Sequence, residues 1–468
     1  KRYSKSGAPV VLGGIEASLR RITHYDYWSD RLRAPILFDS KADYLLYGMS
    51  EHSVVELASA IREKHSPHHI RGLCYLAKTA PEGYLTLPSW DEVNASPDAF
   101  IQMFDLFYKN NDPITAKGLV QKKGDRFFVQ NPPAFILSES QMDEVYALDF
   151  ERELHPCYAE QGDAKALETI RFSIPTHRGC YGECNFCAIA VHEGRTISAR
   201  SEASILNEAQ TMTRHPKFKG ILNDLSGSTA NMYAMECVKK LKSGACADKR
   251  CLYPEICPVL NIDHKRQIAL LQKIRQIPGV KKVFLGSGIR YDMVMADKIN
   301  GQKYLQEIVQ YHTSGQLKVA PEHADSQVLA RMGKPSVQSL LEFKNIFEEL
   351  SRKAGKKQFL TYYLIAAYPG CSDREMKNLK EFTTNKLHLS PEQVQIFTPT
   401  PSTYASVMYY TSKDPFTNTP IYVEKNLNRK TRQKEIITNN GSQTNVGTVK
   451  EKPRSPSHVY AIIRRKTG

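Results

Sequence analysis

Short apolar runs that end in turns alternate with helical patterns along most of the 468-residue chain. Near the start, an apolar run at 9–12 ends at Gly13, and a second run at 43–47 precedes a helical pattern at 50–61. Strands that alternate with helices are typical of α/β domains. The pattern therefore predicts a small doubly wound α/β domain over residues 1–120.

Six further strand patterns follow, with helical patterns between them. The strands are expected at 170–174, 220–225, 280–285, 316–320, 359–367 and 393–397. The clearest helical patterns lie at 201–214, from about Ala230 onward, at 263–277 and at 337–350. Such a run requires a parallel sheet with helical crossovers. Six repeats favour an open, TIM-like partial (βα)6 barrel over 169–411, whose active site lies at the carboxyl ends of its strands.

Two segments flank the predicted barrel. Residues 121–168 are predicted to be a connector with a short strand, a proline-marked turn and a polar helix at 142–154. Residues 412–468 form a short basic extension, and its part at 439–456 is polar and poor in apolar residues, as disordered segments are.

The formal net charge of +15 favours contact with polyanions, above all nucleic acid. Part of the excess lies in residues 413–468, where twelve Lys and Arg stand against four Asp and Glu. That segment can simply be solvated, so charge alone does not identify a partner.

The apolar runs are short, and none approaches the ~20 residues that a membrane-spanning helix needs. The start of the sequence shows no signal-peptide pattern. Ten cysteines in such a chain favour reduced ligands over disulfides. We therefore expect a cytoplasmic protein that has no membrane partner.

Three cysteines, Cys180, Cys184 and Cys187, occupy a glycine-containing loop directly after the first barrel strand. Thiolates are the usual ligands of iron–sulfur clusters, and a 4Fe–4S cluster normally takes four of them. A set of three leaves one iron open to bind and activate a small molecule. A structural zinc site and chance thiols are the alternatives, although zinc knuckles prefer paired CxxC motifs.

The CxxxCxxC spacing, with Phe186 directly before its last cysteine, resembles the radical SAM superfamily. The resemblance implies that S-adenosylmethionine (SAM) binds the open iron and that one electron cleaves it to methionine and a 5'-deoxyadenosyl radical. It also implies that Phe186 stacks near the adenine, unless the ring merely packs the loop.

A closer resemblance, to the YgiQ-type radical SAM proteins, spans residues 9–434. Its motifs are SGSTANMY (226–233), SGIRYD (287–292), LKVAPEH (317–323), MGKP (332–335), AYPG (367–370) and MYYT (408–411). This family implies a cluster and SAM, and leaves the substrate open.

The superfamily resemblance also suggests how SAM is held at the strand ends. Ser226 and Gly227 stand where a glycine-rich turn binds the methionine amino group, although Ser226 replaces a usual glycine. Glu322 stands where a polar residue reaches the ribose hydroxyls, with a surface ion pair as the alternative. Ser287 and Arg290 are further candidates for SAM binding. Arg290 would pair with the methionine carboxylate bidentately or form a structural salt bridge instead.

Four more cysteines fall between the second and third barrel strands, within 21 residues. They are Cys237, Cys246, Cys251 and Cys257. They could ligate an auxiliary iron–sulfur cluster or a zinc ion, or be buried or incidental thiols. His177 and His192, which flank the triplet, could tune a cluster by hydrogen bonding or have no role. The isolated cysteines, Cys74, Cys157 and Cys371, are expected to be structural.

The strand and Gly-Gly turn near the start resemble the cobalamin-binding-like domain that often precedes a radical SAM barrel. Because the sequence begins at Lys1, this domain is expected to be N-terminally truncated. The cobalamin-ligating motif Asp-x-His-x-x-Gly does not occur in the sequence. We expect a domain that has no bound cobalamin.

The leading hypothesis is thus a radical SAM enzyme that acts on a substrate the sequence does not reveal. It would need a one-electron donor of the flavodoxin or ferredoxin type. The first alternative is an RNA-modifying, methylthiotransferase-like radical SAM enzyme, which the basic charge favours. The second is a non-enzymatic iron–sulfur protein that binds nucleic acid.

Overall fold

The structure is a computed structural model of the chain. It describes residues 7–438 except 163, 248 and 393, and at 159–161 it describes the backbone alone. The polar segment predicted at 439–456 and the first residue of the predicted last strand, Gln393, lie outside the described residues.

Residues 7–130 contain eight strands and five helices. The strands are β1 (Val11–Leu12), β2 (His24–Asp26), β3 (Arg31–Arg33), β4 (Tyr44–Leu46), β5 (Leu73–Ala77), β6 (Leu85–Thr86), β7 (Leu119–Lys123) and β8 (Arg126–Gln130). The helices are α1 (Gly14–Leu19), α2 (Ile36–Ser40), α3 (Glu51–Arg62), α4 (Trp90–Ala95) and α5 (Pro97–Lys109). Six strands form one sheet in the order β1-β4-β5-β8-β7-β6, and β2 pairs with β3.

The α/β class is confirmed, and the N-terminal sheet is mixed. The doubly wound pattern holds for the parallel pairs β1–β4 and β6–β7, whereas β4–β5, β5–β8 and β7–β8 are antiparallel. Gly124, at φ +60°, lies in the two-residue turn between β7 and β8. A turn this short can join only antiparallel strands. The sheet therefore runs past residue 120, and the strand predicted for the connector is one of its members.

The connector leads from the sheet to the barrel. It contains α6 (Glu139–Tyr146), a 3₁₀ turn (Pro156–Gln161) and α7 (Lys165–Ile170). The helix predicted at 142–154 begins earlier and ends at Tyr146. A capping box sets its start: the Gln141 amide donates to the Ser138 hydroxyl, and the Ser138 amide donates to the Gln141 side chain.

All six predicted barrel strands are present, the second in two pieces. They are β9 (Ser173–Pro175), then β12 (Ile221–Leu222) with β13 (Asp224–Ser226), β14 (Lys282–Val283), β15 (Gln316–Glu322), β16 (Phe359–Ala366) and β17 (Gln395–Ile396). A short antiparallel ribbon of β10 (His177–Arg178) and β11 (Ser198–Ala199) lies between the first two. The pairs β9–β13, β12–β14, β15–β16 and β16–β17 are parallel, and a parallel bridge from Ile289 to Val319 continues the array. The strands thus lie side by side in chain order, as a partial (βα)6 barrel predicts.

Helices separate these strands and follow the last one. They are α8 (Ile189–His192), α9 (Glu202–Thr213), α10 (Val238–Ser243), α11 (Lys265–Arg275), α12 (Tyr291–Ala296), α13 (Gly301–Glu307) with a π turn (Ile308–His312), α14 (Ser326–Met332), α15 (Gln338–Lys353), α16 (Asp373–Asn385), α17 (Tyr404–Thr411) and α18 (Leu427–Thr438). The helix predicted from Ala230 is wrong: α10 begins only at Val238. The Ala230 amide instead donates to the Gly288 carbonyl, and Ala234 adopts φ +57°.

Two large apolar clusters hold these layers together. One fills the barrel beneath α11 and α15, where Leu340, Phe343 and Phe347 are fully buried. The other joins α5 of the N-terminal part to α17, and it includes Phe104 and Met408. The N-terminal part therefore packs on the barrel beside the ends of its strands. Among the helices of the described residues, none has the length and apolar content needed to cross a bilayer.

Within the predicted basic extension, a run of basic residues lies on α18, which packs against α16; its members are Arg429, Lys430, Arg432 and Lys434. Lys430 is fully buried there, and its Nζ donates to the Tyr409 hydroxyl at 2.8 Å. Burial lowers the pKa of Lys430 to about 8. At least one cation of this run is therefore part of the core.

Candidate active site

The three predicted cluster cysteines lie in one loop, residues 179–187, which we call the cluster loop. It follows β10, and its first residue, Gly179, has φ +85°. A Cβ at that position would lie 2.2 Å from the Thr196 carbonyl oxygen, so the close approach requires glycine. The Cys180 sulfur accepts a hydrogen bond from the Gly182 amide at 3.3 Å and lies 3.4 Å from the Thr229 hydroxyl.

The space between two of these sulfurs depends on a missing side chain. A Cβ on Gly182 would lie 3.3 Å from the Cys180 Sγ and 3.7 Å from the Cys184 Sγ. The loop folds back at its end, where the Cys187 amide donates to the Cys184 carbonyl at 3.0 Å. Among the described residues, no three His, Cys, Asp or Glu side chains converge on one ion. Thiolates of a 4Fe–4S cluster bind different irons and need not converge on one point.

Neighbouring elements hold the cluster loop in place. The Asn185 amide donates to the Met332 carbonyl at 2.9 Å, and its side-chain amide donates to the Arg331 carbonyl at 2.8 Å. The Asn185 carbonyl accepts from the Ala405 amide at 2.9 Å. The loop is therefore fixed by the end of α14 and the start of α17. Phe186 meets the ring of Tyr368 edge to face at 6.3 Å, which is a packing contact.

Arg290 lies between the cluster loop and a buried carboxylate. Its Nη1 donates to the Cys184 sulfur at 3.8 Å, while its Nε donates to Asp292 at 2.8 Å and its Nη2 also bonds to Asp292. Burial would lower the pKa of Arg290, but Asp292 and the cysteines outweigh that effect and raise it. Because Asp292 already takes the bidentate face, the arrangement matches the structural salt bridge, and the remaining nitrogen faces a cluster sulfur.

The backbone of Arg290 is held by a chain of buried polar side chains. Asn231 accepts a hydrogen bond from the Arg290 amide at 2.8 Å and donates one to its carbonyl at 3.0 Å. The Asn231 amide lies 3.2 Å from His264, whose other ring nitrogen lies 2.8 Å from Asp297. Both His264 and Asp297 are buried. Sequence reasoning missed this chain, since its members are far apart along the sequence.

Asp224, the first residue of β13 and near the carboxyl end of the second barrel strand, joins two predicted SAM-binding residues. Its carboxylate accepts hydrogen bonds from the Ser226 hydroxyl at 2.9 Å, the Ser287 hydroxyl at 2.5 Å and the Gly286 amide at 2.8 Å. Ser226 is not among the residues with positive φ, so a serine there costs no backbone strain. Sequence reasoning missed Asp224, although its position at a strand's carboxyl end could have signalled it.

The turn after this strand is packed tightly against the cluster loop. A Cβ on Gly227 would lie 2.5 Å from the His177 carbonyl oxygen and 2.6 Å from its Nε2, so the turn requires glycine at this position. Glu193 accepts hydrogen bonds from the Gly179 amide, at 2.9 Å, and from the Ser228 hydroxyl. His177 is buried, and burial lowers its pKa to about 4. It is therefore neutral at physiological pH.

Glu322 ends the fourth barrel strand as a buried residue, so its pair with a basic neighbour, Lys334, does not lie on the surface as the alternative predicts. Its φ of +68° is rare for a residue with a side chain and is typical of constrained functional positions. Burial raises its pKa, although Lys334 and Arg290 act in the opposite direction. The Lys334 Nζ lies 3.8 Å from the carboxylate and also bonds to the Ala320 carbonyl.

A cleft of about 500 Å³ opens beside these groups. It brings together three of the predicted residues, Ser226, Gly227 and Ser287. Its other lining residues include Met49, Glu51, Tyr146, His177, Arg178, Glu193 and Asp224. Arg178 pairs with Glu51 of α3, so the N-terminal part forms one wall. Cys184, Arg290 and Glu322 do not line this cleft.

The four-cysteine insertion, residues 237–257, places its thiols differently. Cys237 and Cys251 are buried in an apolar cluster with Leu252, while Cys246 and Cys257 are half-exposed. Burial raises the pKa of Cys251 to about 11, and the nearby Lys240 ammonium only partly opposes this. Because no three ligand side chains converge in the described chain, the zinc hypothesis gains no support here. Of the isolated cysteines, Cys74 and Cys371 are buried and Cys157 is exposed.

Sequence comparisons identify the family. The chain is 55% identical over 429 residues to the UPF0313 protein FN0734 of Fusobacterium nucleatum. The aligned region covers 92% of this chain and 76% of that protein. The chain is 44% identical over 432 residues to a UPF0313 protein of Thermotoga petrophila, with the same two coverages. This chain belongs to the UPF0313 family. Residues 1–173 of this UPF0313 protein match a family model described as radical SAM N-terminal, and residues 392–448 match a domain of unknown function, DUF3362.

The predicted YgiQ-type family is thereby confirmed, and this UPF0313 protein is a radical SAM enzyme. Enzymes of this class use a 4Fe–4S cluster and SAM. Neither family description nor the relatives' names mention nucleic acid, so the RNA-modifying and non-enzymatic alternatives gain no support.

Two solved structures resemble the UPF0313 chain distantly. The radical SAM methyltransferase TsrM from Kitasatospora setae, with cobalamin and a [4Fe-4S] cluster bound, gives a TM-score of 0.48 at 13% identity over 86% of this chain and 59% of its own. The cobalamin-dependent radical enzyme OxsB, with aqua-cobalamin and SAM bound, gives 0.47 at 11% identity over 86% and 42%. These likenesses are too distant to assign a ligand to this chain.

Proposed function

We propose that Cys180, Cys184 and Cys187 hold a 4Fe–4S cluster whose fourth iron is open to SAM. The observation that carries this proposal is the geometry at Gly182, where the Cys180 and Cys184 sulfurs and the Arg290 Nη1 all lie within 3.7 Å of the position that a Cβ would occupy. The Gly182 amide and the Arg290 guanidinium both donate to these sulfurs, as donors to thiolate ligands should. When bound, the cluster supplies the electron that cleaves SAM.

The methionine amino group of SAM would bind at the turn that begins with Ser226 and Gly227. Asp224 and Glu193 place two carboxylates against the hydroxyls of this turn, and a cationic amino group is attracted to them. Ser287 shares Asp224 with Ser226 and therefore lies within the same network. The space beside Gly227 is filled by His177, so the turn can approach that residue only with glycine at this position.

The role we propose for Arg290 is to stabilise negative charge on the cluster sulfurs, since Asp292 already occupies its bidentate face. Glu322 is proposed to accept hydrogen bonds from the ribose hydroxyls, because it is buried at a strand end and only partly neutralised by Lys334. For Phe186, the observed packing on Tyr368 supports a role in holding the loop.

The experiment that tests this function is SAM cleavage by the reconstituted protein. Wild-type protein, loaded anaerobically with iron and sulfide and reduced with dithionite, should form 5'-deoxyadenosine from SAM. Cys184→Ala should form none above background, while Cys157→Ala, which alters an exposed thiol, serves as the matched control. Four irons per chain in wild-type protein, with no 5'-deoxyadenosine and no change in the cluster's EPR spectrum on adding SAM, would contradict the proposal.

Two further proposals concern the electron donor and the N-terminal part. We propose a flavodoxin- or ferredoxin-type protein as the one-electron donor, because the cluster needs single electrons. We also propose that the N-terminal part works without cobalamin, as a cofactor-free relative of the cobalamin-binding domains that it resembles. Incubation with hydroxocobalamin followed by gel filtration tests this, because co-elution of the corrinoid absorbance with the protein would contradict it.

A further inference from the structure

A buried carboxylate lies inside the cluster loop itself. Glu183 directly precedes Cys184, and its side chain is 5% exposed. One carboxylate oxygen lies 3.3 Å from the Lys240 Nζ, and the other lies 3.6 Å from the Arg195 Nε and 3.5 Å from the Tyr108 hydroxyl. A buried carboxylate is costly unless it is paired and hydrogen-bonded, so these partners are what allow it to remain there.

The nearest cation comes from the four-cysteine insertion. Lys240 lies on α10 with its side chain only 2% exposed, and its Nζ also donates to the Arg195 carbonyl at 2.8 Å. Its neighbours Lys239 and Lys242 are exposed. A lysine that turns inward from an otherwise solvated helix pays a large desolvation cost, and its contacts with Glu183 and the Arg195 carbonyl offset that cost.

A second cation of the insertion holds the same loop residue. The Arg250 Nη1 donates to the Glu183 carbonyl at 2.9 Å. The Arg250 guanidinium lies over the rings of Tyr404 and Phe416 at 5.7 and 5.6 Å. A Cβ on Gly333 would lie 2.5 Å from this Nη1, so glycine leaves the room that the arginine needs. The insertion thus contacts both the side chain of Glu183, through Lys240, and its backbone carbonyl, through Arg250.

We propose that the four-cysteine insertion serves the cluster loop through Lys240 and Arg250, and that the Lys240–Glu183 pair sets the reduction potential of the cluster. This inference rests on the proposed function, that is, on a cluster held by Cys180, Cys184 and Cys187. Lys240 and Glu183 are positioning residues, because neither is a ligand.

The physical basis is that net charge and hydrogen bonding near a cluster set its reduction potential. Charges in the protein interior act on one another more strongly than in water, because the surroundings are less polarisable. Removing the ammonium of Lys240 leaves Glu183 less compensated, which makes it harder to add an electron to the cluster. Removing the negative charge of Glu183 has the opposite effect.

The experiment is an EPR-monitored redox titration of the reconstituted full chain without SAM. Lys240→Met should lower the potential and Glu183→Gln should raise it, each by about a tenfold change in the reduction equilibrium, which is about 59 mV for one electron. The double variant should return close to wild type. Lys239→Met, which removes an exposed lysine of the same helix, is the matched control and should leave the potential unchanged.

Shifts in the same direction, or no shift while iron content stays at the wild-type value, would overturn the inference. If Lys240→Met fails to hold iron, Lys240→Arg provides the second test, because it restores the positive charge. Iron retention by Lys240→Arg alone supports the charge pair, and loss of iron from both variants contradicts it. Failure of wild-type protein to hold a cluster would instead contradict the proposed function.

Discussion

The cluster loop and the four-cysteine insertion are neighbours, and Cys180 of the loop packs against the same apolar cluster as Cys237 and Cys251 of the insertion, but the polar groups near their sulfurs differ. In the cluster loop, the Cys180 and Cys184 sulfurs accept hydrogen bonds from a backbone amide and from the Arg290 guanidinium. In the insertion, Cys237 and Cys251 pack in an apolar cluster, and the cation close to Cys251 is paired with a carboxylate of the other region.

This difference shows that the spacing of cysteines along the chain does not by itself identify metal ligands. A ligand thiolate needs nearby donors and a shared space, and neither is visible from the distance between cysteines along the chain. The insertion has more cysteines than the loop, but its buried thiols pack in an apolar cluster, as free cysteines often do. The loop has fewer cysteines, and two of its sulfurs have hydrogen-bond donors.

The largest effect is expected when one cysteine is removed from each region. Cys187→Ala should lose the cluster, because it removes a ligand. Removing a residue that only hydrogen-bonds to a ligand already lowers metal affinity by about 10–100-fold, and the loss of a ligand should lower it by at least as much. Cys251→Ala should keep the cluster and lose only about 1 kcal/mol of stability, as an average core substitution does. Iron per chain and the EPR signal of the reduced protein measure both. Equal loss of iron in the two variants would make the insertion a source of ligands.

Much of the fold and of the cluster loop could be predicted from the sequence. The triplet, the six parallel strands and their order follow from local patterns, because each strand is a short apolar run that ends at a marked turn. The mixed N-terminal sheet does not follow, because the pairing of β5 with β8 joins residues 50 to 56 positions apart, from Ala77–Phe127 to Cys74–Gln130. Local periodicity contains no information about such a partner.

The buried charges were the part that sequence reasoning could not supply. Lys240 stands in a lysine-rich helix that resembles a solvated face, yet its ammonium points to Glu183. Asp224 resembles an ordinary polar residue within a strand, yet it joins Ser226 and Ser287. In both cases the partner comes from a separate element, so only the fold brings the charges together.

A smaller effect should follow from removing Arg290, the cation that donates to a sulfur of the cluster loop. Arg290→Met leaves Asp292 buried without its partner, which should cost about 3–5 kcal/mol of unfolding free energy and weaken SAM binding. Arg266→Met is the matched control, since its pair with Glu139 is exposed and worth about 0–1 kcal/mol. Urea unfolding and the SAM-induced EPR change provide the two measurements. Equal stability losses in both variants would show that Arg290 is no more important than a surface charge.

The smallest effect concerns the two buried carboxylates near the cluster loop. Glu183 has two cations within 3.6 Å, whereas Glu322 has Lys334 at 3.8 Å. Burial raises the pKa of Glu322, so the folded protein holds that proton more tightly than the unfolded chain does. Wild type should therefore lose stability relative to Glu322→Gln as the pH rises from about 4.5, the ordinary value, through the raised value. Above that range the difference should become constant.

Urea unfolding of both proteins at several pH values measures this difference, and the sign of its slope decides the outcome. A wild-type advantage that grows with pH would mean that Lys334 compensates Glu322 fully and that its pKa is lowered. The carboxylate would then be a satisfied structural ion, with less reason to bind a ribose. A falling advantage instead leaves Glu322 under-compensated in the fold, as expected of a group whose remaining hydrogen-bonding capacity is used by a ligand.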